Sequence, residues 1–284
     1  LSAIILATSP LYYGAAHYAN LDLEVAVLIS ITLCFSLLGL QEKNPSRQSL
    51  LFILAYVFSG LAALTKGMIG IVFPAMIIGL WILLLNRWQV IRRMHLVAGA
   101  IIFFAITVPW YYLVQKANPE FLHFFFVTQQ VSRFLTHGDF NNKTTCWFYI
   151  PVVLAGFFPW CVFAIQALVK NIKTVWRDRK NHSTELFLVL WFTLIFIFFS
   201  VPTSKTVGYI IPVLPPLALM VGHYLDNLWQ LAAKKSLKAG AISFIILSIG
   251  LSLAAFFVPH IHSPKIPAAA FPYITIAGII FLMA

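Results

Sequence analysis

The chain has 284 residues, of which 61% are hydrophobic and 10% charged, and its mean hydropathy is +0.91. An ordinary globular domain carries roughly 25% charged residues, so a soluble fold is excluded. The formal net charge is +11, but Lys and Arg lie in short stretches between apolar runs, which excludes a basic nucleic-acid-binding domain.

In chain order the apolar runs fall at residues 1–13, 23–40, 50–64, 68–85, 96–114, 147–169, 185–201, 207–225, 240–258 and 271–284. A hydrocarbon core of about 30 Å needs a helix of about 20 apolar residues, and most runs approach that length. Lipid offers no partner to backbone amides, and the alternation of a transmembrane barrel is absent. The predicted fold is therefore all-α: a polytopic helical bundle of about ten spans, residues 1–284 forming part of one domain. The chain opens at Leu1 with neither Met nor a basic start and stops within a run, so it reads as an internal fragment with truncated outer spans. Cys34, Cys146 and Cys161 are far apart and lack metal-ligand spacing, which predicts unpaired thiols.

Alternating the connections between two sides gives thirteen Lys and Arg on one side and six on the other. The positive-inside rule makes the first side cytoplasmic. Facing outward are then Tyr13 to Asp22, the turn at Thr65 to Gly67, the 115–146 connection and Pro202 to Thr206. The basic loops hold no Gly-rich phosphate loop, which disfavours an ATP-driven transporter.

Outward-facing cations oppose the orientation signal and so stand out. Lys66 sits in a turn too short to leave the membrane surface, just ahead of a helix whose N-terminus favours an anion. Lys205 occupies a similar turn, with Tyr209 following. A lipid phosphate at the interface suits both lysines, although simple snorkelling to headgroups accounts for either one alone. Asp22 and Glu24 open the second run, where Asp22 either caps the helix or presents a carboxylate to a sugar, a metal or a proton.

The 115–146 connection carries an apolar stripe from Phe121 to Leu135 at helical spacing, which predicts an interfacial amphipathic helix. At 100° per residue His123, Gln130, Arg133 and His137 share one edge of that helix. Arg133 is suited to grip a phosphate in bidentate fashion, and the histidines to bind substrate or metal, while a polar edge is also what any interfacial helix turns to water.

Several of these stretches resemble one family. Gly60-Leu61-Ala62-Ala63-Leu64-Thr65-Lys66-Gly67, Arg133-Phe134-Leu135, Trp147-Phe148-Tyr149-Ile150-Pro151 with Gly156-Phe157-Phe158-Pro159-Trp160, and Ser204-Lys205 leading to Tyr209-Ile210-Ile211-Pro212 are similar, in order and spacing, to the bacterial 4-amino-4-deoxy-L-arabinose lipid A transferases and related protein mannosyltransferase-like enzymes. The resemblance implies a GT-C fold in the bacterial inner membrane, with a periplasmic site that moves a sugar from a polyprenyl-phosphate donor to lipid A, protein or another acceptor. It further implies donor-phosphate contacts from Lys66, Arg133, Lys205 and Tyr209 and a catalytic role for Asp22, while His123 and His137 are candidate substrate contacts from their place on the helix edge alone.

Two departures accompany the resemblance. Gln129 and Gln130 stand where relatives often have Glu-His, so no cofactor is indicated and use of a divalent metal stays open. The family's principal catalytic aspartate belongs to a first outer loop, which is expected ahead of Leu1. A secondary transporter or lipid flippase is the competing reading. It requires ionisable residues near helix midpoints, whereas the polar residues here collect at outer helix ends.

Overall fold

The computed structural model describes residues 1–132, 144–202 and 204–230, with residues 242, 245 and 249. Helices dominate the described residues. Those long and apolar enough to cross a membrane are α3 (Leu21–Gln41), α4 (Pro45–Lys66), α7 (Leu96–Ala117), α10 (Ser183–Ser200) and the stretch Val207–Gln230. The last joins a 3₁₀ turn, Val207–Val213, to α11 (Leu214–Gln230). Between them stand the 17-residue apolar α5 (Ile69–Leu85) and the short α6 (Gln89–Arg93). The expected runs at 240–258 and 271–284 lie outside the described residues, apart from the isolated positions above.

Two expected spans take a different form. The run at 1–13 folds as α1 (Ser2–Ala7) and α2 (Pro10–Ala16), each too short to span. Ser9 precedes Pro10, whose ring disfavours helical backbone in the preceding residue, and Pro10 takes the first position of α2. The Ser9 hydroxyl donates to the Ile5 carbonyl at 2.7 Å, and Trp160 Nε1 donates to Thr8 Oγ1 at 2.8 Å, pinning this break to the bundle. The run at 147–169 is also broken. A 3₁₀ turn at Cys146–Phe148 leads into α8 (Tyr149–Gly156), and α9 (Cys161–Arg177) leaves at 118° to it.

Helix ends gather in two groups that match the assigned sides. At the basic end Gln41 Nε2 donates to Thr184 Oγ1 at 2.8 Å, Trp81 Nε1 to the Ser183 carbonyl at 2.7 Å, and Gln48 Nε2 to the Gly39 carbonyl at 2.8 Å. At the other end the Tyr149 hydroxyl donates to the Thr206 carbonyl at 3.0 Å. Neighbours in sequence are therefore antiparallel, as alternation requires. Pro74 and Pro109 lie inside α5 and α7, which packed membrane helices accommodate.

The 115–146 connection is not wound as expected. Phe121, Phe125 and Phe126 ring the Tyr111 side chain at centroid distances of 6.4, 5.8 and 5.4 Å, and Gln115 Oε1 accepts the Leu122 amide at 2.8 Å. His123–Ser132 is a π-helix. Its i→i+5 bonding widens each turn, so the 100° spacing that placed His123 and Gln130 on one edge does not apply. Residues 133–143, with Arg133 and His137, lie outside the described residues.

Helix packing in lipid depends on close fit, because apolar burial gains little there. Gly70 shows the demand most sharply: a Cβ at this position would stand 2.4 Å from the Ala63 nitrogen and 2.6 Å from the Ala62 carbonyl carbon. The Ser59 hydroxyl exploits that approach and donates to the Gly70 carbonyl at 2.8 Å. Gly70→Ala should therefore lower stability by about 1–3 kcal/mol through overpacking, read as thermal unfolding in detergent. Gly79→Ala, where a Cβ meets nothing within 4 Å, should unfold at the wild-type temperature or above.

Candidate functional site

The site starts from the local rules that begin α3. Asn20 is its N-cap: backbone φ −142° and ψ 139° keep it outside the helix, and its Oδ1 accepts the Asp22 amide at 3.1 Å. The helix thus starts at Leu21, two residues before the apolar run suggested, and capping falls to Asn20 instead of Asp22. Asp22 keeps its carboxylate for other partners. It is 4% exposed, and its Oδ2 accepts from Asn20 Nδ2 at 2.9 Å. Glu24, two residues on and so on the other side of the helix, is exposed.

The second element is the end of α4. Lys66 is its final residue, and Gly67 follows at φ 79°, a left-handed backbone that glycine adopts without cost. This turn aims the lysine back at α3, where its Nζ forms an ion pair with Asp22 Oδ1. The Asp22 side chain is 5% exposed and that of Lys66 28%, so screening of the pair by water is one-sided.

Residues of the third element close over the pair. The Lys66 ammonium lies 4.2 Å from the centre of the Tyr209 ring, a cation–π contact, and Tyr209 rests in turn on Phe199 at 5.7 Å. Gly208 makes the approach feasible, since a Cβ there would stand 2.1 Å from Asp22 Oδ2. Trp191 Nε1 donates to the Pro212 carbonyl at 3.0 Å and fixes the 3₁₀ turn that carries both residues.

Lys205 belongs to the same end of the bundle but is held differently. It is 3% exposed, and its Nζ donates to the Pro202 carbonyl at 2.5 Å and the Thr144 carbonyl at 3.4 Å. Burial disfavours its charge and pulls its pKa below the usual lysine value, with Cys146 acting weakly the other way. Among the described residues it meets carbonyl oxygens, whereas Lys66 meets a carboxylate.

Of the seven residues singled out from sequence, Asp22, Lys66 and Tyr209 converge. Lys205 stands in the adjoining turn, bound to backbone. His123 is exposed on the π-helix, and Arg133 and His137 fall outside the described residues. The π-helix is nevertheless tied to the pair's neighbourhood, because the Tyr111 hydroxyl donates to the Ala63 carbonyl at 2.7 Å, one turn before Lys66. Among the described residues no three His, Cys, Asp or Glu side chains form a metal-binding group.

Comparison with known proteins fits this arrangement. Residues 1–125 match the family of dolichyl-phosphate-mannose-protein mannosyltransferases. The undecaprenyl phosphate-α-4-amino-4-deoxy-L-arabinose arabinosyl transferase of Erwinia tasmaniensis is 29% identical over 261 residues, covering 91% of this chain and 45% of that protein. Its counterpart from Enterobacter sp. (strain 638) is 30% identical over 241 residues, covering 84% and 42%. The crystal structure of ArnT from Cupriavidus metallidurans bound to undecaprenyl phosphate superimposes with a TM-score of 0.87 at 30% identity, over 99% of this chain and 50% of that one. The chain has the GT-C fold of that structure. It spans about half the length, or slightly less, of the relatives it matches.

Asn20 and Gly208 are the site features that sequence reasoning missed. Asn20 was legible as a residue type that caps helices two positions ahead of an acidic residue. Gly208 was not, because its importance lies in contact with Asp22 across 186 residues. The pair itself is testable through stability. Asp22→Asn and Lys66→Met should each destabilise the protein, and the double variant by less than their sum, with a coupling on the order of 1–3 kcal/mol in a double-mutant cycle of thermal unfolding. Additive losses would mean that the two side chains do not interact.

Proposed function

We propose that the full-length protein is a glycosyltransferase that moves a sugar from a polyprenyl-phosphate-linked donor to lipid A, a protein or another acceptor on the periplasmic side of the bacterial cytoplasmic membrane. The observation that carries this reading is the meeting of Asp22, Lys66 and Tyr209, drawn from three separate elements, at the less basic end of a helical bundle. Relatives described as undecaprenyl phosphate-α-4-amino-4-deoxy-L-arabinose arabinosyl transferases, and a similar structure holding undecaprenyl phosphate, support the choice of donor class.

The geometry suits departure of a phosphate. Cleavage of the bond between sugar and phosphate leaves negative charge on the leaving oxygen, and a fixed cation in a place poor in water offsets that charge far better than solvent does. Lys66 fills this role in our reading, supported by Arg133 and Lys205. An ammonium carries three donors and can serve a carboxylate and a phosphate together. Asp22 holds Lys66 in register and faces the sugar or the acceptor. A hydroxyl acceptor needs a carboxylate to take its proton, whereas an acceptor phosphate needs only positioning. Tyr209 sets the height of the lysine above the membrane surface and lines the donor phosphate. The secondary transporter reading gains nothing from these positions, since Asp22 lies in the first turn of α3 and Lys66 in the last of α4.

Transfer from a synthetic undecaprenyl-phosphate-linked aminoarabinose to lipid A, assayed with the full-length protein in membranes, tests the proposal. Lys66→Ala, Arg133→Ala and Lys205→Ala should each lower turnover by at least about a hundredfold, the usual loss when a charge-stabilising donor is removed. Membrane insertion should not change. Unaltered turnover in all three variants would reject the phosphate-site assignment.

A further inference from the structure

α9 does not resemble the other long helices. Its inner face, with Phe163, Ala164 and Ala167, is buried against α10 and α11. Its outer face presents Ile165, Val169, Ile172 and Trp176 at successive turns, with exposures of 52, 45, 44 and 91%. In a membrane-embedded chain such a stripe faces acyl chains. It then runs directly into cations: Lys173, Arg177, Arg179 and Lys180 are all exposed where α9 ends. Lys170 is turned elsewhere, its ammonium 5.2 Å from the centre of the Tyr224 ring of α11.

These cations border a hollow of about 560 Å³ at the basic end of the bundle. Trp176, Arg177, Arg179 and Lys180 form its rim, while Leu84 of α5 and Leu186 of α10 line its apolar floor. The carboxylate in the rim, Asp178, is engaged by its own turn. Its Oδ2 accepts from Asn181 Nδ2 at 2.6 Å and its Oδ1 from the Asn181 amide at 3.3 Å. Nearby, Glu185 pairs with His182 at 3.3 Å. Among the described residues no carboxylate lies within ion-pair distance of Arg177, Arg179 or Lys180.

An apolar floor opening to acyl chains, a rim of clustered cations and a tryptophan at the interface together describe one kind of ligand. We propose that this hollow binds the headgroup of an anionic phospholipid from the leaflet at the basic end of the bundle. Arg177, Arg179 and Lys180 engage the phosphate and Trp176 sits at headgroup depth, with one acyl chain following the Ile172 and Val169 face. The excess of cations over the bonded Asp178 selects an anionic headgroup over a zwitterionic one. The site is remote in the fold from Asp22 and Lys66, which stand at the opposite helix ends, so it is independent of the proposed transfer chemistry.

Native mass spectrometry of the full-length protein, released from detergent containing equal phosphatidylglycerol and phosphatidylcholine, tests this directly. The wild type should retain phosphatidylglycerol preferentially. Arg177→Ala with Lys180→Ala should reduce that retention on the order of tenfold. Lys43→Ala with Arg47→Ala, which removes equal charge from the same end, should leave it within about twofold. Equal loss in both variants, or no preference for the anionic lipid in the wild type, would overturn the site. In nanodiscs, brominated phosphatidylglycerol should quench wild-type fluorescence more than that of Trp176→Phe, a reading that removes no cation. Identical quenching would equally overturn it.

Discussion

A carboxylate buried at the end of a membrane helix is stable only if a cation and hydrogen-bond donors meet it there, because the cost of desolvating an isolated charge exceeds what packing returns. Asp22 meets both conditions through Asn20 and Lys66. Each partner depends on a separate piece of local chemistry. Asn20 is placed by helix capping, and Lys66 by a left-handed Gly67 that stops α4 one residue beyond it. The ion pair therefore joins two helix ends whose positions were already set by their own termini.

Length matching extends that constraint through the bundle. α3 and α4 have 21 and 22 residues, each about 30 Å long at 1.5 Å per residue, and they are linked at the basic end by a three-residue connection. Gln48 closes that end by donating to the Gly39 carbonyl. With one end tied by hydrogen bonds and the other by the ion pair, the two helices form a fixed frame. α5 packs on it through Gly70, and the 3₁₀ turn at Val207–Val213 through Gly208. Both contacts need glycine for the same reason: another element's atoms occupy the space where a side chain would begin.

The two ends of the frame carry unlike electrostatics. At one end, among the described residues, Lys66 is held by carboxylate and ring and Lys205 by two backbone carbonyls. At the other, cations cluster around exposed Trp176 without paired carboxylates among the described residues. Fixed charge suits chemistry on a bound phosphate, because no reorganisation is needed when charge develops. Clustered, solvated charge suits reversible contact with a lipid surface.

Much of this was fixed before folding is considered. Hydropathy, with the absence of strand alternation, required a helical membrane bundle, since in lipid only helices and closed barrels satisfy the backbone amides. Charge counting assigned the two sides, and the antiparallel helix ends agree with it. Sequence also singled out Asp22 and Lys66 as charges at outer helix ends, and Tyr209 as the tyrosine that follows Lys205 in a family-like motif. What it did not yield were the relations among distant residues. The break at Ser9-Pro10 and the 118° bend before α9 were hidden inside continuous apolar runs, where hydropathy is blind to backbone direction. That Lys66 answers Asp22 across 44 residues, that Tyr209 covers both, and that Lys205 turns instead to carbonyls, were decided by tertiary packing. Like charges in similar turns carry the same pattern along the chain, and only the neighbours that folding brings to each one distinguish a cation paired with a carboxylate from one held by backbone carbonyls.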